Sequence, residues 1–144
     1  MSVEENKAVA RRFYEEVWNQ HDVDALDDLT VADAIDHDPM PGLLPGREGW
    51  KQQFAMMFIA FPDLHFAVDI VVAEGDKVAS RLTVNGTHNG EFMGIPPTGK
   101  QGTITGVDIF RIVSGKVVER WGSYDLLSLM QQIGVVAPPG QAGG

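Results

Sequence analysis

The sequence predicts an α+β domain in which helices cover one face of a strongly curved antiparallel sheet. Three observations carry this reading: helical spacing of apolar residues over roughly the first sixty positions, alternation of apolar and polar residues from Leu64 onward, and turn signals such as EGDK and VSGK between the alternating runs. The concave side of such a sheet, roofed by helices, lines a pocket.

The elements follow in order. Ser2 with Glu5 three positions later is a capping box, and behind it Val9, Phe13 and Val17 repeat beside Ala10, Tyr14 and Trp18, which predicts a first helix over residues 3–19. Asp22 caps a short second helix through DALDDL, and AIDH forms a brief strand before the turn-rich DPMPGLLPG. Trp50, Phe54, Met57, Phe58 and Phe61 keep helical spacing over residues 48–61, and Pro62 stops that third helix. Two alternating runs then follow, Leu64 to Val72 and Val78 to His88. The loop NGEFMGIPPTGK leads into a strand containing GVDIFRI, and VSGK turns into KVVERWGSYD. A last helix, residues 125–133, ends at Gly134, a residue suited to the left-handed C-cap.

Composition bounds the rest. The 144 residues fit one domain, expected over 1–136, with APPGQAGG as a disordered tail over 137–144. Hydrophobic residues at 44% and charged residues at 22% are ordinary for a globular chain that folds by itself. A formal net charge of -9 with no long basic run argues against nucleic acid or an anionic membrane as partner. Without cysteine there is no thiolate nucleophile and no cysteine-based zinc site, and a reducing cytoplasm is expected. No apolar run approaches about 18 residues and the N-terminal stretch is charged, so neither membrane span nor signal peptide is visible.

One strand carries a carboxylate on its oily side. Alternation places Ile104, Gly106, Asp108, Phe110 and Ile112 on one face, and an isolated ionised carboxylate there is costly. Asp108 is therefore expected to find a partner, hold its proton, or do work. His88 ends a strand whose inward face carries Val78, Leu82 and Val84, so it too faces inward, either as a functional group or as a satisfied core histidine. Tyr14 lies on the Ala10 and Trp18 row, and Asp38 precedes a proline that fixes the backbone, as suits a base on a rigid loop or an ordinary turn residue. The glycines of GEFMGIPPTGK join two strands and lack the lysine and hydroxyl of a phosphate loop. The expected pocket lining is Trp18, His37, Phe54, Phe58, Phe92, Phe110, Tyr124 and Asp125. No metal site is expected.

Read together, FYEEVWNQHDVDALDDL, DHDP, GTHNGEFMGIPPTGK, GVDIFRIVSGKVVERWGSYD and LMQQIG resemble the SnoaL-like polyketide cyclases of the nuclear-transport-factor-2-like superfamily, over residues 5–135. The resemblance implies a cone-shaped α+β barrel with a deep pocket, a homodimer pairing through the sheet, and a small apolar carbonyl or polyketide-like ligand. It implies an aldol ring closure without metal or cofactor. The aspartate that such cyclases use falls at Gly122 here, their strand histidine falls at Asp108, and their GTH histidine matches His88. Ketosteroid isomerase, of the same superfamily, is also similar at the acids: its helix-one tyrosine, Asp-Pro base and Asp-x-Phe-Arg acid match Tyr14, Asp38 and Asp108. On that pattern Asp38 is the base, Tyr14 and a protonated Asp108 are donors to an enolate, and His88 positions substrate or relays a proton. The rival expectations are a non-catalytic binding module and a scaffold whose pocket is filled by its own aromatic residues.

Overall fold

The computed structural model describes residues 2–137; the expected tail, from 138 onward, lies outside them. The first helix, α1 (Val3–Arg12), starts on the predicted capping box, with Ser2 Oγ accepting from the Glu5 N–H at 3.0 Å and Glu5 Oε1 accepting from the Ser2 N–H at 3.1 Å. It does not stay α-helical. From Phe13 to Asn19 the chain widens into a π-helix that buries Phe13, Tyr14, Val17 and Trp18. Asn19 then clips this segment to the sheet, donating to the Phe66 carbonyl at 2.9 Å and accepting from the Phe66 N–H at 2.7 Å.

A 3₁₀ turn (Val23–Ala25) leads to the short α2 (Leu26–Leu29), then β1 (Thr30–Asp36), α3 (Gly46–Ala60), β2 (His65–Glu74), β3 (Lys77–Thr87), β4 (Gln101–Val113), β5 (Lys116–Tyr124) and α4 (Leu126–Gln132). The strand order is β1-β5-β4-β3-β2. The class is α+β, as expected, but the sheet is neither closed nor wholly antiparallel: β1 runs parallel to β5, with Thr30 opposite Val117 and Asp36 opposite Arg120. A parallel neighbour requires a long crossover, here the whole of α3 to β4, so no local turn signal announces it.

The inward parity of β3 and β4 is as the alternation predicted, with Val78, Ser80, Leu82, Val84 and Gly86 buried opposite Phe110, Asp108, Gly106, Ile104 and Gly102. On β2 the alternation breaks. The pairing register shifts between Val68 and Ile70, so Asp69 is an extra residue; beyond it Val71 and Ala73 pack on the core while Ile70 and Val72 turn outward. α1 lies over β2 and β3, α3 over β1, and α4 over β4. Between helices and sheet sits an aromatic core in which Trp18 packs at 4.0 Å from Phe54 and 4.4 Å from Phe66, and Phe13 at 4.9 Å from Phe110, ring centre to ring centre. No helix among the described residues is long and apolar enough to cross a membrane.

Candidate active site

The core does not fill the space between helices and sheet. A cavity of about 330 Å³ remains, walled by Trp18, Trp50, Phe54, Phe61, Phe66 and Phe92 among others, and its polar side is built by β1, β4, β5 and the loop after β1.

Asp108 is the centre of that side. The β4–β5 register puts Asp108 directly opposite Gly122, with Tyr124 and Arg120 on the diagonals through the pairs Gly106–Tyr124 and Phe110–Arg120. Arg120 donates from Nε at 3.0 Å to Asp108 Oδ1, with Nη2 in ion-pair contact with the same oxygen at 2.9 Å, while the hydroxyls of Tyr14 (2.8 Å) and Tyr124 (2.6 Å) meet Oδ2. Both oxygens of Asp108 are thus taken by the protein itself: the two tyrosine hydroxyls meet one and a guanidinium faces the other, so that its burial is compensated by pairing.

Arg120 also donates from Nη1 to both oxygens of Asp36, at 2.9 and 3.1 Å, and to the Asp38 carbonyl at 3.3 Å. Asp36 accepts in addition from Trp50 Nε1 at 2.8 Å and from the Asp38 N–H at 2.9 Å. Burial alone would ease the proton off Arg120, but the charges of Asp108 and Asp36 more than offset it and hold the guanidinium's affinity for its proton above the ordinary value. For Tyr14 and Tyr124, burial first and the Asp108 charge second push the phenols well above their usual range, so both remain protonated donors.

Two glycines make the arrangement possible. A Cβ on Gly122 would collide with Arg120 Nη2 and lie 2.6 Å from Asp108 Oδ1, and a Cβ on Gly106 would run into the Tyr124 ring. The guanidinium occupies the space that a side chain at 122 would need. The backbone N–H of Gly122 instead donates to Asp38 Oδ2 at 2.9 Å, which brings a carboxylate from the loop to this strand position. Asp38 Oδ1 takes no hydrogen bond among the described residues, and Asp38 lines the cavity.

Of the residues singled out from the sequence, Asp38, Asp108, Tyr124, Trp18, Phe54 and Phe92 border the cavity. Tyr14 reaches Asp108 from behind, fully buried, without bordering the space. The others are placed elsewhere. His37 is on the outer face of the sheet, stacked 4.7 Å from Trp121 and bonded to Glu119 at 2.7 Å; His37 first, then Arg111, holds the Glu119 carboxyl below its ordinary range. Phe58 stacks on His21, Phe110 is buried in the core beneath Tyr14 and Phe13, and Asp125 caps α4 by accepting from the Ser128 N–H at 3.0 Å. His88 is buried behind Phe61 and Phe92, away from the polar cluster.

Arg120, Asp36 and Trp50 belong to the site and were not singled out. A signal existed for the first two. Arg120 and Tyr124 share parity with Gly122 on KVVERWGSY, so an inward carboxylate on one strand had an inward cation on the next candidate strand, and Asp36 shares parity with the buried Ala34.

Residues 8–133 match the sequence profile of the SnoaL-like polyketide cyclase family. The aklanonic acid methyl ester cyclase DnrD of Streptomyces peucetius is 28% identical over 102 residues, which is 70% of this chain and 68% of that protein. Among solved structures, TsrD from Streptomyces laurentii superposes with a TM-score of 0.86 at 27% identity, covering 94% of this chain and 99% of its own. IdmH from Streptomyces antibioticus superposes with a TM-score of 0.78 at 34% identity over 90% of this chain and 99% of its own.

Proposed function

Because the chain belongs to the SnoaL-like polyketide cyclase family, we propose that it catalyses acid/base chemistry on a small, largely apolar carbonyl compound, through an enolate and without a cofactor. The observation that carries this reading is Asp38. One of its oxygens is anchored on the Gly122 N–H, the other is unengaged among the described residues, and the cavity it borders is also lined by Tyr124 and Arg120.

The steps balance without a further reactant. Asp38 removes a proton from the carbon next to a carbonyl, and the charge that develops on the enolate oxygen is met by the guanidinium of Arg120. For ring closure, the enolate carbon bonds to a second carbonyl carbon of the same ligand. The resulting alkoxide takes the proton back from Asp38, so no atom is lost. Tyr14 and Asp108 act behind this front, holding Tyr124 and Arg120 in place. A double-bond shift or an elimination would begin with the same proton transfer.

The test is exchange of α-protons in an enolisable diketone in deuterated water, followed by proton NMR. Asp38→Asn should slow exchange by about 10²–10⁴ while the urea midpoint stays in place, and equal rates in mutant and wild type would remove Asp38 as base. A second reading, a binding module, is favoured by the saturation of Asp108, which has no donor or acceptor to spare. Under it, carbonyl compounds bind and exchange is not accelerated.

The assembly is proposed as a homodimer pairing through the sheet. Ile70, Val72, Val107 and Ile109 stand on the outer face at 54, 56, 42 and 36% exposure, apolar side chains that a partner sheet would cover.

A further inference from the structure

His88 lies just past the end of β3, on the same inward side as Val84 and Gly86, and its N–H donates to the Lys100 carbonyl at 2.9 Å, extending the β3–β4 ladder one step. The ring is fully buried. Its Nδ1 accepts from the Thr98 backbone N–H at 3.3 Å, and Thr98 Oγ1 lies 3.0 Å away while itself accepting from the Lys100 N–H. The Thr98 N–H aimed at Nδ1 calls for a lone pair there, and in that tautomer a neutral ring carries its proton on Nε2. Nε2 has no partner among the described residues. A buried N–H left without an acceptor is destabilising, and such a group calls for a reason.

Its surroundings supply one. The rings of Phe61 and Phe92 stand 5.6 and 6.5 Å from the imidazole, and both also wall the cavity. Gly86 and Gly102, opposite each other one pair back along the ladder from Thr87 and Gln101, wall it too and present no side chain. The imidazole therefore sits one step beyond the inner end of the cavity, at the opposite end from Asp108. Phe92 belongs to no strand of the sheet. It is carried by a tight turn in which Phe92 and Ile95 exchange backbone hydrogen bonds at 3.0 and 2.8 Å across Met93 (φ +50) and Gly94 (φ +81). Met93 in the left-handed region makes this turn an expensive conformation to keep.

We propose that His88 is a second binding group: a ligand that reaches the inner end of the cavity displaces the Phe92 ring and accepts a hydrogen bond from Nε2–H at a carbonyl or phenolic oxygen. Such a ligand carries two oxygen functions, one at Arg120 and the other at His88. This rests on the reading that the cavity holds a small, largely apolar carbonyl compound.

The probes are fluorenone and fluorene, which share a tricyclic frame and differ in one carbonyl. In protein labelled with nitrogen-15 at histidine, the His88 Nε2 signal should shift with fluorenone and not with fluorene. His88→Phe should weaken fluorenone about ten-fold and leave fluorene unchanged, while His88→Gln, which keeps an N–H, should hold the preference. Phe92→Ala should tighten fluorenone only where residue 88 can donate. Equal weakening of both probes by His88→Phe, or an Nε2 signal unmoved by bound fluorenone, overturns the proposal and leaves the carbonyl-binding cavity standing. Failure of both probes to bind wild type and Phe92→Ala alike removes the ligand class and the proposal together. Asp38 as base is judged separately, by the exchange experiment.

Discussion

Arg120 and Asp108 form a two-point ion pair through Nε and Nη2, at 3.0 and 2.9 Å from one carboxylate oxygen, and the same guanidinium carries Asp36 on its third nitrogen. Both side chains are almost excluded from water, at 14 and 4% exposure, so solvent does little to screen the loss of either partner. Arg120→Met should therefore cost about 3–5 kcal/mol in urea denaturation, because two buried carboxylates lose their cation. Adding Asp108→Asn should recover part of that loss. A cost within about 0.5 kcal/mol would mean that the pair is only incidental.

Gly122 is fixed by the guanidinium above it. Gly122→Asp would restore an acid at the strand position that the related cyclases are inferred to use, yet its Cβ meets Arg120 and Asp108. The expected outcome is a loss of stability of about 1–3 kcal/mol with no gain in α-proton exchange. Faster exchange in that variant would show that the site tolerates the acid and that Asp38 is not its substitute.

Alkaline pH should unfold the protein through its two tyrosines. Burial, then the Asp108 charge, raises both phenols in the folded state, whereas in the unfolded chain they ionise near pH 10. Above about pH 10 the unfolded state therefore holds fewer protons, and stability falls by up to ~1.4 kcal/mol per pH unit for each tyrosine until the folded phenols ionise too. Below that pH the contribution is complete. Ultraviolet phenolate absorbance, to which no other tyrosine contributes, should appear only together with loss of far-ultraviolet circular dichroism, and Tyr14→Phe should halve the slope of stability against pH. Phenolate formation with the fold intact near pH 10 would refute the buried-donor description.

The outer sheet face should set the assembly state. Val107→Lys places a charge on the outer face of β4, two residues from Ile109, while β4 keeps its inward residues. Sedimentation should then report a monomer, against a dimer for the wild type, with the melting temperature of the diluted chain little changed. A wild-type monomer at all concentrations would remove the dimer.

The sequence by itself determined the element order and the inward faces of β3 and β4, because capping, helical spacing and alternation are local and each strand there is buried on one side only. Asp108 was legible for the same reason: a carboxylate among Ile104, Phe110 and Ile112 contradicts its own strand. Its partners were not legible, since Arg120 and Tyr124 reach it only through the β4–β5 register. Nor were the π-helix at Phe13–Asn19, the bulge at Asp69 or the parallel pairing of β1 with β5, each of which answers to partners distant in sequence. The tertiary structure alone decided which predicted residues meet. It moved His37 to the outer face, set His88 at the far end of the cavity from Asp108, and brought Asp38 onto the backbone of a glycine 84 positions later, where charge, hydrogen bonding and available space are satisfied at once.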